Sequence, residues 1–211
     1  MAAFNIVVAG LGGQGVLFVS KALALAASRE HDFVCRTESR GLSQRGGSVS
    51  SEVRFSSRPV TPVVAHASAD LLLSMDMLEA VRFADLVKHD GTILTHTELV
   101  PPLHLSRQWN GEHEDRSRAE FNERISRVLQ YTIGAIMIDL LCASRGARLN
   151  VALLGAASSI LPIKAENVRS AALRLTKPAD RDSTAAWFDS ARFYALQAAA
   201  AAKISSGNSV A

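Results

Sequence analysis

NIVVAGLGGQGVLFVSKALALAAS, residues 5–28, joins an apolar run to an alanine- and leucine-rich segment through a turn that contains four glycines. The first part, residues 5–9, is a short run of β-forming residues that ends at a glycine, as is typical of a buried parallel strand. Residues 16–28 carry apolar side chains at helical spacing. The sequence therefore predicts a strand, a tight turn and a helix in direct succession.

This alternation continues through the first half of the chain. Apolar or alternating runs predict further strands at residues 31–37, 48–55, 69–74 and 92–95. A helix is predicted over residues 75–87, and Asp90-Gly91 is predicted to turn the chain into the last of these strands. Strands separated by helices favour a parallel sheet with right-handed crossovers.

The second half is predicted to be mostly helical. A long polar connection is expected over residues 107–118, and Asn150 is an N-cap candidate. Helices are predicted over residues 133–144, 151–161, 165–175 and 185–202, with breaks at Pro162 and at Lys177-Pro178. We predict an α/β fold with a mostly parallel sheet flanked by helices and a helical C-terminal part. A single domain is expected over residues 1–204, followed by a frayed tail over residues 205–211.

The composition excludes several classes of protein. With 48% hydrophobic and 20% charged residues among 211, the chain is expected to form one folded core and not a disordered state. The longest apolar run, residues 131–142, is interrupted and falls short of the about 20 residues that span a bilayer. Residues 1–10 have no basic segment ahead of their apolar run, so we expect no signal peptide and a cytoplasmic protein.

Two cysteines, Cys35 and Cys142, exclude a disulfide scaffold and a CxxC motif. They also fall short of the roughly four thiolates that hold an iron–sulfur cluster. The six histidines are scattered without metal-ligand spacing, and no nucleophile elbow, P-loop or HExxH motif is present. The sequence therefore predicts no catalytic residue and no metal held by this chain alone.

The positive charge is concentrated in one segment. Lysines and arginines exceed acidic residues by three, 23 against 20. Residues 36–58 contain five arginines and two glutamates, which accounts for the whole excess. Because no lysine-rich tail or aromatic-studded basic face accompanies it, this segment favours a phosphate or an acidic partner over a nucleic-acid duplex.

The glycine turn is the first candidate site. Its pattern, GxGxxG between a predicted strand and a predicted helix, permits close approach of the backbone and leaves the helix N-terminus free for an anion. The candidate cofactor-binding residues are Gly10, Gly12, Gly13, Gln14 and Gly15. The alternative is a turn needed only for packing. Glu38, at the end of the second strand, could accept ribose hydroxyls or pair with Arg36 or Arg40.

The second candidate site is the segment RGLSQRGGS, residues 40–48. Its glycine-rich backbone suits an anion-holding nest, and its arginines supply charge-assisted hydrogen bonds. The alternative is an exposed, inert loop. The candidate residues are Ser43, Gln44, Arg45, Gly46, Gly47 and Ser48.

GLGGQG and GLSQRGGSV, residues 10–15 and 41–49, resemble in order and spacing the gamma subunit or domain of 2-oxoacid:ferredoxin oxidoreductases. The resemblance continues through ADLLLS, EAVRF and NVALLGA, at residues 69–74, 79–83 and 150–156. VPPL, residues 100–103, is similar to the small beta subunit of indolepyruvate members of the family. The resemblance covers most of the chain and implies a Rossmann-like gamma-type domain of the pyruvate/ketoisovalerate oxidoreductase kind.

The resemblance implies a complex that oxidatively decarboxylates a 2-oxoacid to an acyl-CoA with thiamine diphosphate, iron–sulfur clusters, coenzyme A and ferredoxin. This chain lacks the cysteines for clusters and any GDG-type diphosphate motif. The resemblance therefore implies a large catalytic partner subunit that carries the thiamine diphosphate and the clusters. The two candidate loops, expected at the carboxyl ends of adjacent parallel strands, would face that partner and help hold the phosphates of coenzyme A.

Two segments depart from the family pattern, residues 106–118 and 177–183. They leave the 2-oxoacid open between indolepyruvate, phenylglyoxylate and short-chain acids. A rival interpretation is a stand-alone dinucleotide-binding protein or dehydrogenase domain, based on the glycine turn and Glu38. A nucleic-acid-binding module comes third.

Overall fold

The computed structural model describes residues 3–40, 47–95, 135–137 and 149–207, together with Glu112, Asp115, Arg116, Ala119, Glu120 and Glu123. Within them, six strands form one sheet in the order β2-β3-β1-β4-β5-β6. Their bounds are β1 Phe4–Leu11, β2 Phe33–Arg40, β3 Ser48–Ser56, β4 Ala69–Ser74, β5 Val87–Thr95 and β6 Ala135–Met137. Strands β1, β4, β5 and β6 run parallel. The predicted α/β fold with a mostly parallel sheet is confirmed.

Strand β3 is the exception to the parallel arrangement. It lies between β1 and β2 and is antiparallel to both. The expectation that the two candidate loops follow adjacent parallel strands is therefore wrong, because β2 and β3 form a hairpin. Only seven residues separate Arg40 from Ser48, whereas a parallel crossover needs about a dozen or more.

Helices cover both faces of the sheet. On one face lie α1 (Val16–Ala27), α3 (Leu149–Ala157), α4 (Ala165–Leu175) and α5 (Arg181–Gly207). On the other lies α2 (Met77–Arg82). Successive β1 side chains alternate between the two cores, so that Ile6 and Val8 pack with the four-helix side while Val7 and Ala9 pack toward α2. Because both faces are covered, β1 is apolar from Ile6 to Ala9.

The predicted helix over residues 75–87 is shorter in the structure. Asp76 caps α2, its Oδ1 accepting from the backbone N–H of Leu78 and of Glu79. A 3₁₀ turn, Ala84–Leu86, follows, and Val87 already belongs to β5. Between the pairs Ala69↔Val87 and Leu71↔Thr92 the register shifts, so Asp90-Gly91 lies in a bulge inside β5 and not before it.

The predicted helix over residues 133–144 is wrong at Ala135–Met137, which form β6 beside β5; its other residues lie outside the described part of the chain. Periodicity alone does not separate a short buried strand from a helix segment. Within the predicted connection over residues 107–118, the described residues Glu112, Asp115 and Arg116 are helical. The last helix ends at Gly207, and the 205–211 tail stays a prediction.

A carboxylate from another element caps helix α4. Glu30, just after α1, accepts hydrogen bonds at Oε1 from the backbone N–H of Lys164, 2.8 Å, and from Asn167 Nδ2, 2.7 Å. Burial raises the pKa of Glu30, but these hydrogen bonds and the neighbouring positive charges outweigh it and lower the pKa overall.

No helix among the described residues is long and apolar enough to cross a membrane.

Candidate functional site

The glycine turn after β1 closes on itself through the Gln14 side chain. Gln14 Oε1 accepts a hydrogen bond of 2.7 Å from the backbone N–H of Leu11. In return, the Gln14 backbone N–H donates to the Leu11 carbonyl at 3.1 Å. The Gln14 amide oxygen therefore holds the turn in shape. The sequence predicted Gln14 as a cofactor-binding residue and did not reveal this structural role.

The glycines of this turn are required for different reasons. Gly13 and Gly15 have φ of +102° and +91°, a region that side chains with a Cβ rarely adopt. A Cβ at Gly13 would meet open space, whereas a Cβ at Gly15 would lie 2.3 Å from Asn150 Nδ2. At Gly10, a Cβ would lie 3.2 Å from Met75 Cβ, where β1 and the end of β4 approach.

Gly47 and Ser48, the described residues of the second candidate site, meet the glycine turn at one edge of the sheet. The Gly12 backbone N–H donates to the Gly47 carbonyl at 2.8 Å, and Leu11 pairs with Ser48 across β1 and β3. The arrangement differs from the predicted one, because the second loop closes an antiparallel hairpin and does not follow an adjacent parallel strand. Ser43, Gln44, Arg45 and Gly46 lie outside the described residues.

Ser48 contacts a buried carboxylate that the sequence did not single out as a site residue. Its Oγ donates a hydrogen bond to Oε2 of Glu79, on helix α2. Glu79 is 2% exposed, and its Oε1 accepts from Arg82 Nε at 3.0 Å. In the sequence, Glu79 belongs to the segment EAVRF, which resembles the family. Nothing in that segment predicted a hydrogen bond to Ser48, which is 31 residues away in sequence.

The strand order predicts a crevice at this edge, between the ends of β1 and β4. The chain leaves β1 toward α1 on one face and leaves β4 toward α2 on the other, which makes this pair of strands the topological switch point. Within the described residues, no side chain caps α1. The N–H groups of its first turn and the positive end of its dipole therefore favour an anion at the crevice.

Asn150 extends the site on the side of α1. Its Oδ1 accepts from the Val151 backbone N–H at 2.9 Å, and α3 begins at Leu149, so Asn150 lies inside the first turn and is not the predicted N-cap. It borders a cavity of about 280 Å³ whose other lining residues are Phe18, Val151, Thr176, Lys177 and Asp180.

The position of Glu38 argues against a dinucleotide site. Glu38 forms an ion pair with Arg36, which is one of the two interpretations that the sequence left open. Strand β3 separates β2 from β1, so Glu38 lies two strands, about 10 Å, away from the strand that carries the glycine turn. A ribose at that turn would be out of reach of this carboxylate.

Part of the positive segment is used inside the fold. The Arg54 guanidinium donates through Nε to Asn5 Oδ1 at 2.8 Å and through Nη1 to the carbonyls of Thr61 and Val63, each within 2.8 Å. It thereby fixes the chain after β3 against the sheet. Two arginines of the segment, Arg36 and Arg54, thus have partners within this chain.

Within the described residues, no group of three His, Cys, Asp or Glu could hold a metal ion. Cys35 is a free thiol that donates to the Val60 carbonyl at 3.4 Å. Cys142, His96, His104 and His113 lie outside those residues. At the crevice, the described residues offer the uncapped backbone N–H groups at the start of α1, which can hydrogen-bond to an anion.

Comparison with known proteins agrees with the predicted resemblance. A family model for pyruvate ferredoxin/flavodoxin oxidoreductase matches residues 5–185. The indolepyruvate oxidoreductase subunit IorB of Pyrococcus horikoshii is 31% identical over 182 residues, which are 84% of this chain and 88% of the relative.

Solved structures share the fold. The gamma subunit of a keto/oxoacid ferredoxin oxidoreductase from Geobacter sulfurreducens superposes with a TM-score of 0.64 at 19% identity, over 92% of this chain and 99% of that one. The 2-oxoglutarate:ferredoxin oxidoreductase of Magnetococcus marinus gives 0.64 at 16% identity, over 94% of this chain and 31% of that one. The family match over residues 5–185 and the relative that is 31% identical show that the chain belongs to the pyruvate ferredoxin/flavodoxin oxidoreductase family.

Proposed function

We propose that this chain is the subunit without clusters in an oxidoreductase that converts indolepyruvate, or another aryl 2-oxoacid, to an acyl-CoA, carbon dioxide and reduced ferredoxin. The relative from Pyrococcus horikoshii, named for indolepyruvate, supports this substrate class because it matches over 88% of its own length. Two cysteines in 211 residues fall short of the roughly four that an iron–sulfur cluster takes. Thiamine diphosphate and the clusters then belong to a larger partner subunit.

We propose further that the crevice between β1 and β4 binds the phosphates of coenzyme A. The observation that carries this proposal is the 2.8 Å hydrogen bond from Gly12 N–H to the Gly47 carbonyl, which joins the last glycine before β3 to the glycine turn that leads into the uncapped start of α1. The Magnetococcus marinus enzyme, which has the same fold over this region, holds coenzyme A and succinyl-CoA.

The charges around the crevice are compatible with an anionic ligand. Glu79 is the buried carboxylate nearest to Ser48, and its charge is countered by Arg82 at 3.0 Å and by the Ser48 hydroxyl. In the sequence, Arg45 lies between β2 and β3, and a guanidinium is a group that binds phosphate with two hydrogen bonds.

The test is steady-state kinetics of the complex reconstituted with its catalytic subunit. Arg45→Ala should raise the KM for coenzyme A by about tenfold, since a hydrogen bond to a charged group contributes about 1.5–3 kcal/mol. Weakened association with the catalytic subunit, measured by size-exclusion chromatography, is the other expected effect.

Arg58→Ala is the matched control. It removes the same charge just beyond the far end of β3, roughly 27 Å from Ser48 along the strand. It should change neither the KM for coenzyme A nor the assembly. Normal kinetics and normal assembly in the Arg45 variant would show that the loop touches neither ligand nor partner. A panel of 2-oxoacids assayed with the same complex tests the aryl preference separately.

A further inference from the structure

A second cavity lies at the opposite edge of the sheet from the crevice, where β1 begins and β3 ends. Its volume is about 250 Å³. Its lining includes the rings of Phe4, His31 and Phe55, together with Ile160, Leu161 and Pro162 from the turn after α3. Strand β1 separates this cavity from the glycine turn by about 25 Å, so the two places are independent.

The aromatic wall of this cavity is built around Phe55, which is 1% exposed. The Phe4 ring stacks on it with centroids 5.4 Å apart and planes at 24°. The His31 ring lies 4.6 Å from the same ring, tilted by 36°. Such a wall presents flat, polarisable surface, to which another aromatic ring packs well.

One polar atom of the lining is uncommitted. His31 Nε2 is buried and has no hydrogen-bond partner within the described residues. The two serines of the lining are engaged, because Ser159 Oγ donates to the Ala156 carbonyl at 2.7 Å and Ser56 Oγ accepts from Arg58 N–H at 3.1 Å. A buried ring nitrogen without a partner is unfavourable, and a ligand that reaches it would remove that cost.

The size and the charge of the cavity restrict what it can take. A cavity of about 150 Å³ lined by Leu, Ile and Phe admits benzene, so about 250 Å³ accommodates one or two fused rings. No lysine, arginine or carboxylate lines it, which disfavours a charged ligand. A hydroxyl group can donate to or accept from an imidazole nitrogen, and so suits either tautomer of His31.

We propose that this cavity is a binding site for a small, neutral aromatic molecule of one or two rings, whose hydroxyl or ring N–H hydrogen-bonds to His31 Nε2. This site is separate from the crevice proposed for coenzyme A, and its occupancy does not depend on that proposal. The apolar walls provide the affinity, and the single ring nitrogen fixes the orientation of the ligand.

The experiment is calorimetric or NMR titration of the full chain with phenol and with toluene, which differ by a hydroxyl in place of a methyl. We expect both to bind. In His31→Phe, which keeps an aromatic ring but removes Nε2, the ratio of phenol to toluene affinity should fall by about tenfold, the equivalent of one hydrogen bond. Toluene binding by this variant reports that the cavity is still formed.

Two further variants complete the test. Ile160→Trp fills the cavity and should abolish binding of both probes, whereas His66→Phe, at a side chain that is 77% exposed, should change neither. An unchanged affinity ratio in His31→Phe, or no binding of either probe up to its solubility, overturns the proposal. Loss of phenol binding when the catalytic subunit is added would also overturn it, because the cavity would then be a partner's docking surface.

Discussion

Replacing Gly15 by alanine tests whether the start of α1 and the start of α3 are packed as closely as the structure shows. Two costs arise at this position. A φ of +91° disfavours any residue with a Cβ, by about 1–2 kcal/mol. The new Cβ would also lie 2.3 Å from Asn150 Nδ2 and 3.1 Å from Asn150 Cγ, so the amide must move.

Gly13→Ala is the matched comparison, because it carries the backbone cost without the collision. Its φ is +102°, and a Cβ there has no heavy atom within 4 Å. The gain of about 0.4–1 kcal/mol from a less flexible unfolded chain is common to both variants. The difference between them therefore isolates the overpacking term, which is about 1–3 kcal/mol.

The assay is urea unfolding of both variants and the parent chain, followed by circular dichroism. Gly15→Ala should unfold with a free energy about 1–3 kcal/mol below that of Gly13→Ala. Adding Asn150→Ala to Gly15→Ala should recover part of this difference, since it removes the colliding amide. Equal stabilities of the two single variants would refute the close approach of Gly15 and Asn150.

Three other changes have defined outcomes. Glu30→Gln should lower the free energy of unfolding by about 0.5 kcal/mol at pH 7. Because the pKa of Glu30 is lowered in the folded chain, the stabilisation by its carboxylate is present above the unfolded pKa and is lost as the pH falls through the folded pKa. In urea unfolding at a series of pH values, the stabilities of the variant and the parent chain should therefore converge between about pH 5 and pH 3. Gly155→Ala should lower the melting temperature strongly, because the new Cβ would lie 2.2 Å from the backbone carbonyl oxygen of Phe188, which cannot move aside. An unchanged melting temperature would contradict this close contact between α3 and α5. Ser48→Ala removes a hydrogen bond from the buried Glu79 carboxylate and should destabilise the chain by about 1–3 kcal/mol, whereas Ser39→Ala, at an exposed position of β2, should cost little in the same unfolding assay.

Local signals in the sequence predicted the elements whose residues carry their own pattern. The strand–turn–helix unit over residues 5–28 appears as β1, the glycine turn and α1, since an apolar β run and a helical repeat need no distant residue to be recognised. Strand β4 and helix α4 have the predicted bounds for the same reason. Where the pattern was a nearly continuous apolar run, as over residues 131–142, it did not reveal the short strand Ala135–Met137.

By itself, the amino-acid sequence determined the α/β class, the position of the glycine turn, the concentration of arginine near residues 36–58 and, through its motifs, the family. Only the tertiary structure decided that β3 pairs with β1, that Gly47 rather than a parallel neighbour meets Gly12, and that Ser48 binds Glu79. It also decided that His31 and the turn after α3 enclose one cavity. The physical reason is that these are pairings between residues distant in sequence. Burial and hydrogen bonding select such pairings only once the sheet and its helices have assembled, so no local pattern encodes them.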